Sequence, residues 1–320
     1  MKKILITGAL GQIGSELTPF LRKRYGNENV LASDIKPLPE GIINQKGPFE
    51  YINCLDAQGI RSAVKKYKID TIFHLAAILS ATGEKNPQLA WKVNINGLYN
   101  ILEIARENKC AIFTPSSIAA FGPSTPKDNT PQETIQRPNT IYGLTKVAGE
   151  LLCDYYHFKY NVDTRGVRFP GIISYVTLPG GGTTDYAVEI FYQALKCKKY
   201  TCFLDKNTYL DMMYIPDALK AAVNLMEANP YRLKHRNAYN VTAESFTPEE
   251  LAQEIKKHIP DFEMKYDIDP MRQAIADSWP NQLDDSAARE DWGWFPDYDL
   301  RAMTKDMIEK LKIKLNIAIK

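Results

Sequence analysis

The chain has 320 residues, 44% of them hydrophobic, and its 40 Lys and Arg nearly cancel its 38 Asp and Glu, leaving a formal charge of +2. That balance gives no overall field toward nucleic acid or anionic lipid, and the apolar runs break before membrane-spanning length. Five scattered cysteines (Cys54, Cys110, Cys153, Cys197, Cys202) without a C-x-x-C, and four histidines without an H-E-x-x-H, argue against a disulfide scaffold or a metal site and for a reducing compartment.

Met1-Lys2-Lys3 leads straight into an apolar run, which leaves no room for a targeting peptide and suggests a cytoplasmic protein. Ile4–Thr7 is the first predicted strand, followed by a helix over 11–25. Pro19 lies inside that helix and should kink or break it. Strands are then predicted at Val30–Asp34 and 49–53, a helix over 60–67, a strand over 71–75 and a long helix over 90–108. A strand over 111–114, a helix over 141–159 and a strand over 163–169 complete the first half. Repeated strand-helix alternation predicts an α/β fold of Rossmann type, a doubly wound parallel sheet with helices on both faces. After Phe169 the pattern loosens. Residues 179–185, Pro179-Gly180-Gly181-Gly182-Thr183-Thr184-Asp185, have the composition of a mobile loop. Helices are predicted over 186–196 and 217–227, from Thr247-Pro248, and over Leu300–Lys314. The basic end of that last helix reads as a solvated surface. The expected division is a dinucleotide-binding domain with the catalytic helix over 1–170, and a smaller C-terminal substrate-binding lobe over 171–320, interleaved with the first.

Gly8-Ala9-Leu10-Gly11-Gln12-Ile13-Gly14 is a G-x-x-G-x-x-G between a strand and a helix. The glycines permit a tight turn and close approach of a pyrophosphate, and the free N–H groups around Gln12 and Ile13 at the helix start favour its charge. Asp34 follows Gly14 by 20 residues, at the end of the second strand. A carboxylate there would bind the adenosine ribose hydroxyls and repel a 2′-phosphate, which favours NAD over NADP. The plainer role for Asp34 is capping a turn before Pro37. Asp56 could bond the adenine amino group, Leu75-Ala76-Ala77 would let the cofactor lie against backbone, and Asn94 on the long helix could reach the same pocket. His74 reads as a satisfied sheet-end histidine.

Tyr142 and Lys146 stand four apart on one face of the 141–159 helix. An ammonium near a phenol favours the phenolate, the form that serves as a general base. Ser116-Ser117 closes the strand 25 residues before Tyr142, and parallel strands would bring Ser117 to the same sheet edge. Ser117 would then bond a substrate hydroxyl, Tyr142 remove its proton and Lys146 hold the nicotinamide ribose. Alternatively the two serines are strand-end caps.

The glycine pattern, Leu75-Ala76-Ala77, Ser116-Ser117-Ile118-Ala119-Ala120-Phe121-Gly122 and the Y-x-x-x-K together resemble the extended branch of the short-chain dehydrogenase/reductase superfamily over nearly the whole chain. Leu210-Asp211-Met212-Met213-Tyr214-Ile215-Pro216-Asp217-Ala218 is similar to that branch's second-lobe motif, with Leu210 in place of an arginine. Arg168-Phe169-Pro170-Gly171 stands where nucleotide-sugar epimerases carry an asparagine, and Ser116-Ser117-Ile118 is not the T-D-E of dehydratases. Phe169-Pro170-Gly171-Ile172-Ile173, the glycine-threonine segment 179–187, Ser278-Trp279-Pro280 and Asp284-Asp285-Ser286-Ala287-Ala288 are instead similar to L-threonine 3-dehydrogenases of the short-chain type. That resemblance implies NAD-dependent oxidation of L-threonine at C3. It implies Tyr142, Lys146 and Ser117 as catalytic residues and Ile172 at the cofactor. It implies Ser80 and Thr184, with Thr183 and Trp279 as weaker candidates, at the substrate's charged groups. It also implies a homodimer formed through the 90–108 and 141–159 helices, using Leu151, Leu152, Tyr155 and Tyr156. A nucleotide-sugar 4-epimerase and a non-catalytic NAD-sensing regulator are the competing readings.

Overall fold

The computed structural model describes residues 1–38, 47–178 and 180–317. Strands β1 (Ile4–Thr7), β2 (Val30–Asp34), β3 (Phe49–Tyr51), β4 (Thr71–His74), β5 (Ala111–Phe113) and, after β6 (Ser116–Ser117), β7 (Thr164–Arg165) build a parallel six-stranded sheet in the order β3-β2-β1-β4-β5-β7. Helices α1 (Gly14–Tyr25), α2 (Ala57–Tyr67), α3 (Ser80–Lys85), α4 (Pro87–Trp91), α5 (Gly97–Asn108) and α6 (Ile141–Tyr160) alternate with these strands. The pleat divides the core into two layers. Ile4, Ile6, Val30, Ala32, Phe73 and Phe113 face one layer, while Leu5, Leu31, Ile72 and Ile112 face the other. Burial on both faces is why these strands read as continuous apolar runs rather than alternating ones.

Four departures from the sequence expectations have local causes. Helix α1 begins at Gly14 rather than residue 11, because Gly8 to Ile13 form a turn in which the Gly11 N–H donates to the Gly8 carbonyl at 3.1 Å. Pro19 does not break α1, which is continuous from Gly14 to Tyr25. Lacking an N–H, it costs one ladder bond, that to the Ser15 carbonyl. The predicted 90–108 helix carries a π-helical turn over Lys92–Asn96 between α4 and α5. The predicted 163–169 strand splits at Gly166. A Cβ there would lie 2.4 Å from the Thr114 carbonyl oxygen, so the backbones approach too closely for one flat strand. Its first half is β7. Its second half, β8 (Val167–Phe169), leaves the main sheet to lie parallel between β6 and Tyr239–Asn240, with Ser117 opposite Phe169.

The second half of the chain adds a three-stranded sheet in which β9 (Gly171–Ile173) pairs parallel with Leu210–Tyr214, itself antiparallel to Glu244–Phe246. Helix α7 (Tyr186–Cys197), Ile215–Glu227, Pro248–His258 and Leu300–Lys314 pack their apolar faces into the first core layer. Pro248–His258 starts at the predicted Thr247 cap, which the structure extends to a capping box, Thr247 accepting from the Glu250 N–H while Glu250 accepts from the Thr247 N–H. Among the described residues no helix is long and apolar enough to cross a membrane, and no group of His, Cys, Asp or Glu could hold a metal ion.

Candidate functional site

The glycine turn is closely packed. Gly8 has φ +72°, and a Cβ on it would stand 2.7 Å from the Ala76 backbone nitrogen. A Cβ on Gly14 would stand 2.3 Å from the Gly8 carbonyl oxygen, so α1 starts directly against the turn that leaves β1. Gly11 is looser, with its nearest neighbour at 3.3 Å. Asp34 is buried and tied to this turn. One carboxylate oxygen accepts the Leu10 N–H at 2.9 Å and the other the Lys36 N–H at 3.0 Å. It therefore caps its own turn and braces the glycine loop, and each oxygen keeps acceptor capacity for a further donor. Gln12 donates from its side-chain amide to the Ile172 carbonyl at 3.0 Å, joining the glycine turn to β9. Asp56 is exposed and caps α2 through the Gly59 N–H at 2.9 Å.

One cleft opens at the C-terminal ends of the parallel strands, where doubly wound sheets bind ligands. Gln12, Ile13, Leu75, Ala76, Ala77, Asn94 and Ile172 line it on the side of the glycine turn. Ser117, Tyr142 and Lys146 line it from β6 and α6, and Ser80, Thr183, Thr184 and Trp279 close the far side. Residues separated by up to 267 positions in the chain, Gln12 to Trp279, thus share one cavity. Asp34 and Asp56 lie outside its lining, Asp34 being connected through the glycine turn.

Thr140 starts α6, its hydroxyl accepting the Gly143 N–H at 3.0 Å. A Cβ on Gly143 would come 2.1 Å from the Ala119 carbonyl oxygen, so only glycine lets the first turn of α6, with Tyr142, sit against the segment after Ser117. The Lys146 ammonium stands 5.3 Å from the Tyr142 ring centroid and donates to the Pro115 carbonyl at 2.7 Å. Ser117 Oγ accepts the Ala119 N–H at 3.2 Å. Asn94, in the π-helical turn, accepts the Ile78 N–H and donates to the Ile78 carbonyl and to Thr145 Oγ1. It fixes the strand-end segment against α6. His74 also lines the cleft, paired with Thr7 Oγ1 at 2.7 Å. Burial, helped by Lys146, pushes its pKa down to about 3, so it is a neutral, satisfied group as the sequence suggested.

The glycine-threonine segment differs from the expected mobile loop. Pro179 lies outside the described residues. The Asp185 carboxylate accepts both the Gly181 and Gly182 N–H groups at 2.8 and 2.7 Å, and Thr183–Asp185 forms a 3-10 turn leading into α7. Burial raises the Asp185 pKa while those two N–H groups oppose the rise. Thr183 Oγ1 lies 3.3 Å from Ser80 Oγ, both buried, which couples this turn to the start of α3.

Sequence reasoning missed Gly143, and it missed Glu150, which lines the cleft one turn beyond Lys146 and pairs with Arg168. The i, i+4, i+8 spacing of Tyr142, Lys146 and Glu150 was the available signal.

The chain matches the NAD dependent epimerase/dehydratase family over residues 4–242. It is 55% identical to an uncharacterized epimerase/dehydratase of Staphylococcus saprophyticus over the full length of both chains. The structure is similar to that of L-threonine dehydrogenase from Clostridium difficile, with a TM-score of 0.96 and 61% identity over 98% of each chain. It is also similar to L-threonine dehydrogenase from Phytophthora infestans, with a TM-score of 0.94 and 51% identity over 98% of this chain and 100% of that one.

Proposed function

The chain belongs to the NAD dependent epimerase/dehydratase family, and we propose that within it this protein is an L-threonine 3-dehydrogenase, oxidising L-threonine at C3 to L-2-amino-3-oxobutyrate. The observation that carries the reading is the single cleft joining Ser117, Tyr142 and Lys146 to the Ser80–Thr183 pair and to the glycine turn.

Gly8 and Gly14 let the turn pack tightly on its neighbours, Gly11 leaves the approach of a pyrophosphate open, and Gln12 and Ile13 bring the start of α1 to the cleft. Leu75, Ala76, Ala77, Asn94 and Ile172 form the wall along which the dinucleotide would lie. Asp34 would accept the adenosine ribose hydroxyls and disfavour a 2′-phosphate, making NAD the preferred cofactor, with Asp56 at the adenine. When bound, NAD supplies the hydride acceptor. Ser117 bonds the threonine hydroxyl and holds it toward Tyr142. Tyr142 takes the hydroxyl proton as the C3–H bond is oxidised, and Lys146 stabilises the phenolate and orients the ribose. Ser80 and Thr184, with Thr183 and Trp279, receive the substrate's carboxylate and ammonium.

The nucleotide-sugar reading loses support at Arg168. It stands where that reading expects an amide, and its guanidinium is buried and held by Glu150, the Gln132 carbonyl and Asn240.

The test is NADH formation by the purified chain with L-threonine and NAD, with NADP and UDP-galactose as controls. Turnover with threonine, weak with NADP, is expected. Conversion of a UDP-sugar without threonine turnover would reverse the assignment.

A homodimer and a cytoplasmic location belong to the same reading. Leu151 and Phe158 on α6 are 62% and 83% exposed, and Tyr155 lies beside them. Tyr156, expected at the interface, is instead buried in its own core with its hydroxyl on Glu103. A sedimentation mass of one chain would exclude the dimer.

A further inference from the structure

The proposed chemistry uses Ser117, Tyr142 and Lys146 but leaves a buried ion pair behind them unexplained. Glu150 and Arg168 are 8% and 7% exposed, and Arg168 Nη2 meets Glu150 Oε2 at 2.8 Å. Glu150 Oε1 also accepts from Arg168 Nε at 3.1 Å and from the Ser116 hydroxyl, while Oε2 accepts from the Gln136 amide at 2.8 Å. The guanidinium also donates to the Gln132 carbonyl at 2.8 Å and Asn240 Oδ1 at 3.1 Å, and it lies over the Phe121 ring.

A pair this deep contributes little net stability over an apolar replacement, because desolvation offsets the attraction. Its placement is more specific than its energy. Glu150 is on α6, one turn beyond Lys146 and two beyond Tyr142, while Arg168 is on β8, paired in register with Ser116. The residue before Ser116, Pro115, is held through its carbonyl by Lys146. The start of the short strand β6 and the residue before it are therefore fastened to α6, Ser116 to Glu150 and Pro115 to Lys146. Ser117 is the next residue. Its distance from Tyr142 is set by how β6 sits on α6, and a strand of two residues has little pairing of its own to fix that distance.

We propose that Glu150, oriented by Arg168, is a positioning residue that acts through the Ser116 hydroxyl to hold Ser117 in register with Tyr142 and Lys146. The proposal rests on the dehydrogenase reading above. Arg168 points the carboxylate at Ser116, and the Gln136 amide holds its second oxygen.

Ser116→Ala tests this with the least disturbance, since it removes one hydroxyl and leaves the ion pair intact. Threonine restores the hydroxyl in a strand position that suits a β-branched residue. In the wild-type chain and both variants, kcat, KM for threonine, NAD affinity and Tm are measured together. Displacing a positioned group by a fraction of an ångström to 1 Å costs up to about 100-fold in rate. The expected result is a roughly 10-fold or larger loss of kcat in Ser116→Ala, recovered in Ser116→Thr, with NAD affinity unchanged and no matching loss of Tm. Glu150→Gln should lower kcat as Ser116→Ala does, and the Ser116→Ala/Glu150→Gln double variant should lose no more than the worse single variant. Unchanged kcat in Ser116→Ala, or equal loss in the alanine and threonine variants, overturns the proposal and leaves the dehydrogenase reading standing. A wild-type chain inactive on threonine overturns the reading itself, and this proposal with it.

Discussion

The three glycines of the G-x-x-G-x-x-G are expected to fail in different ways when replaced by alanine. At Gly8 the new Cβ meets three consecutive backbone atoms of the Leu75–Ala76 segment, at 2.7, 2.8 and 2.9 Å, and the φ of +72° itself disfavours any side chain. The left-handed conformation alone costs about 1–2 kcal/mol. The neighbours at Leu75 and Ala76 are backbone atoms just after β4 and cannot swing aside as a side chain would. At Gly14 φ is ordinary, but the Cβ would stand 2.3 Å from the Gly8 carbonyl oxygen and 2.7 Å from the Ala9 Cα. Helix α1 would have to lift off the turn that leaves β1. Overpacking of that kind costs about 1–3 kcal/mol. At Gly11 the nearest atom is 3.3 Å away, and a few tenths of an ångström relieve it. The expected Tm losses are therefore several degrees for Gly8→Ala and Gly14→Ala, at roughly 2 °C per kcal/mol in a chain this large, and within about 1 °C for Gly11→Ala. NAD affinity separates the positions again. Gly11→Ala should fold normally yet bind NAD more weakly, because its methyl group would occupy the approach of the pyrophosphate. Differential scanning calorimetry and a fluorescence titration with NAD measure the two effects. Equal Tm losses at all three positions would refute the packing argument, and a Gly11→Ala protein with native NAD affinity would refute the place given to the pyrophosphate.

Tyr142→Phe keeps the ring and removes the base, so kcat with threonine should fall by roughly 10²- to 10⁴-fold with NAD binding intact; retained turnover would remove Tyr142 from the mechanism. Thr184→Ala should raise KM for threonine by about fivefold, the equivalent of one hydrogen bond of about 1 kcal/mol, and an unchanged KM would argue against contact. Asp211 is fully buried, accepting from Thr242 Oγ1 and the Leu283 N–H, and burial pushes its pKa up to about 8. The folded chain thus holds a proton there that the unfolded chain loses near pH 4. The stabilisation from this carboxyl is complete below about pH 4 and is lost as pH rises toward 8. Asp211→Asn, neutral throughout, should gain on the wild type by up to roughly 1.4 kcal/mol per pH unit across that window. A Tm difference that stays constant from pH 5 to pH 8 would show that Asp211 is ionised in the folded protein.

Much of this molecule is written locally. The buried strands Ile4–Thr7, Val30–Asp34 and Thr71–His74 are apolar on both faces because helices cover both, and that pattern is visible without coordinates. The glycine turn, the Thr247 cap and the pairing of Tyr142 with Lys146 are legible for the same reason. Each depends on residues within one or two turns of each other, so backbone geometry alone relates them. The sequence also marked Ser80, Thr183, Thr184 and Trp279, but only by resemblance, since no local rule relates residue 80 to residue 279.

What the tertiary structure decided were the relations between distant segments. Gly166 could have ended a strand or sat within one, and the Thr114 carbonyl facing it divides that strand between two sheets. Residues 181–185 have the composition of a free loop, yet the Asp185 carboxylate folds back on two of the glycine N–H groups. Gly143 looks unremarkable in a helix until the Ala119 carbonyl is set against it. Arg168 and Glu150 read as unrelated charges 18 positions apart, and only the docking of β8 beside β6 under α6 makes them a buried pair. Periodicity reports the environment of a residue's neighbours in the chain. It carries no record of which distant carbonyl or carboxylate will be pressed against them, and in this protein those contacts assemble the cleft.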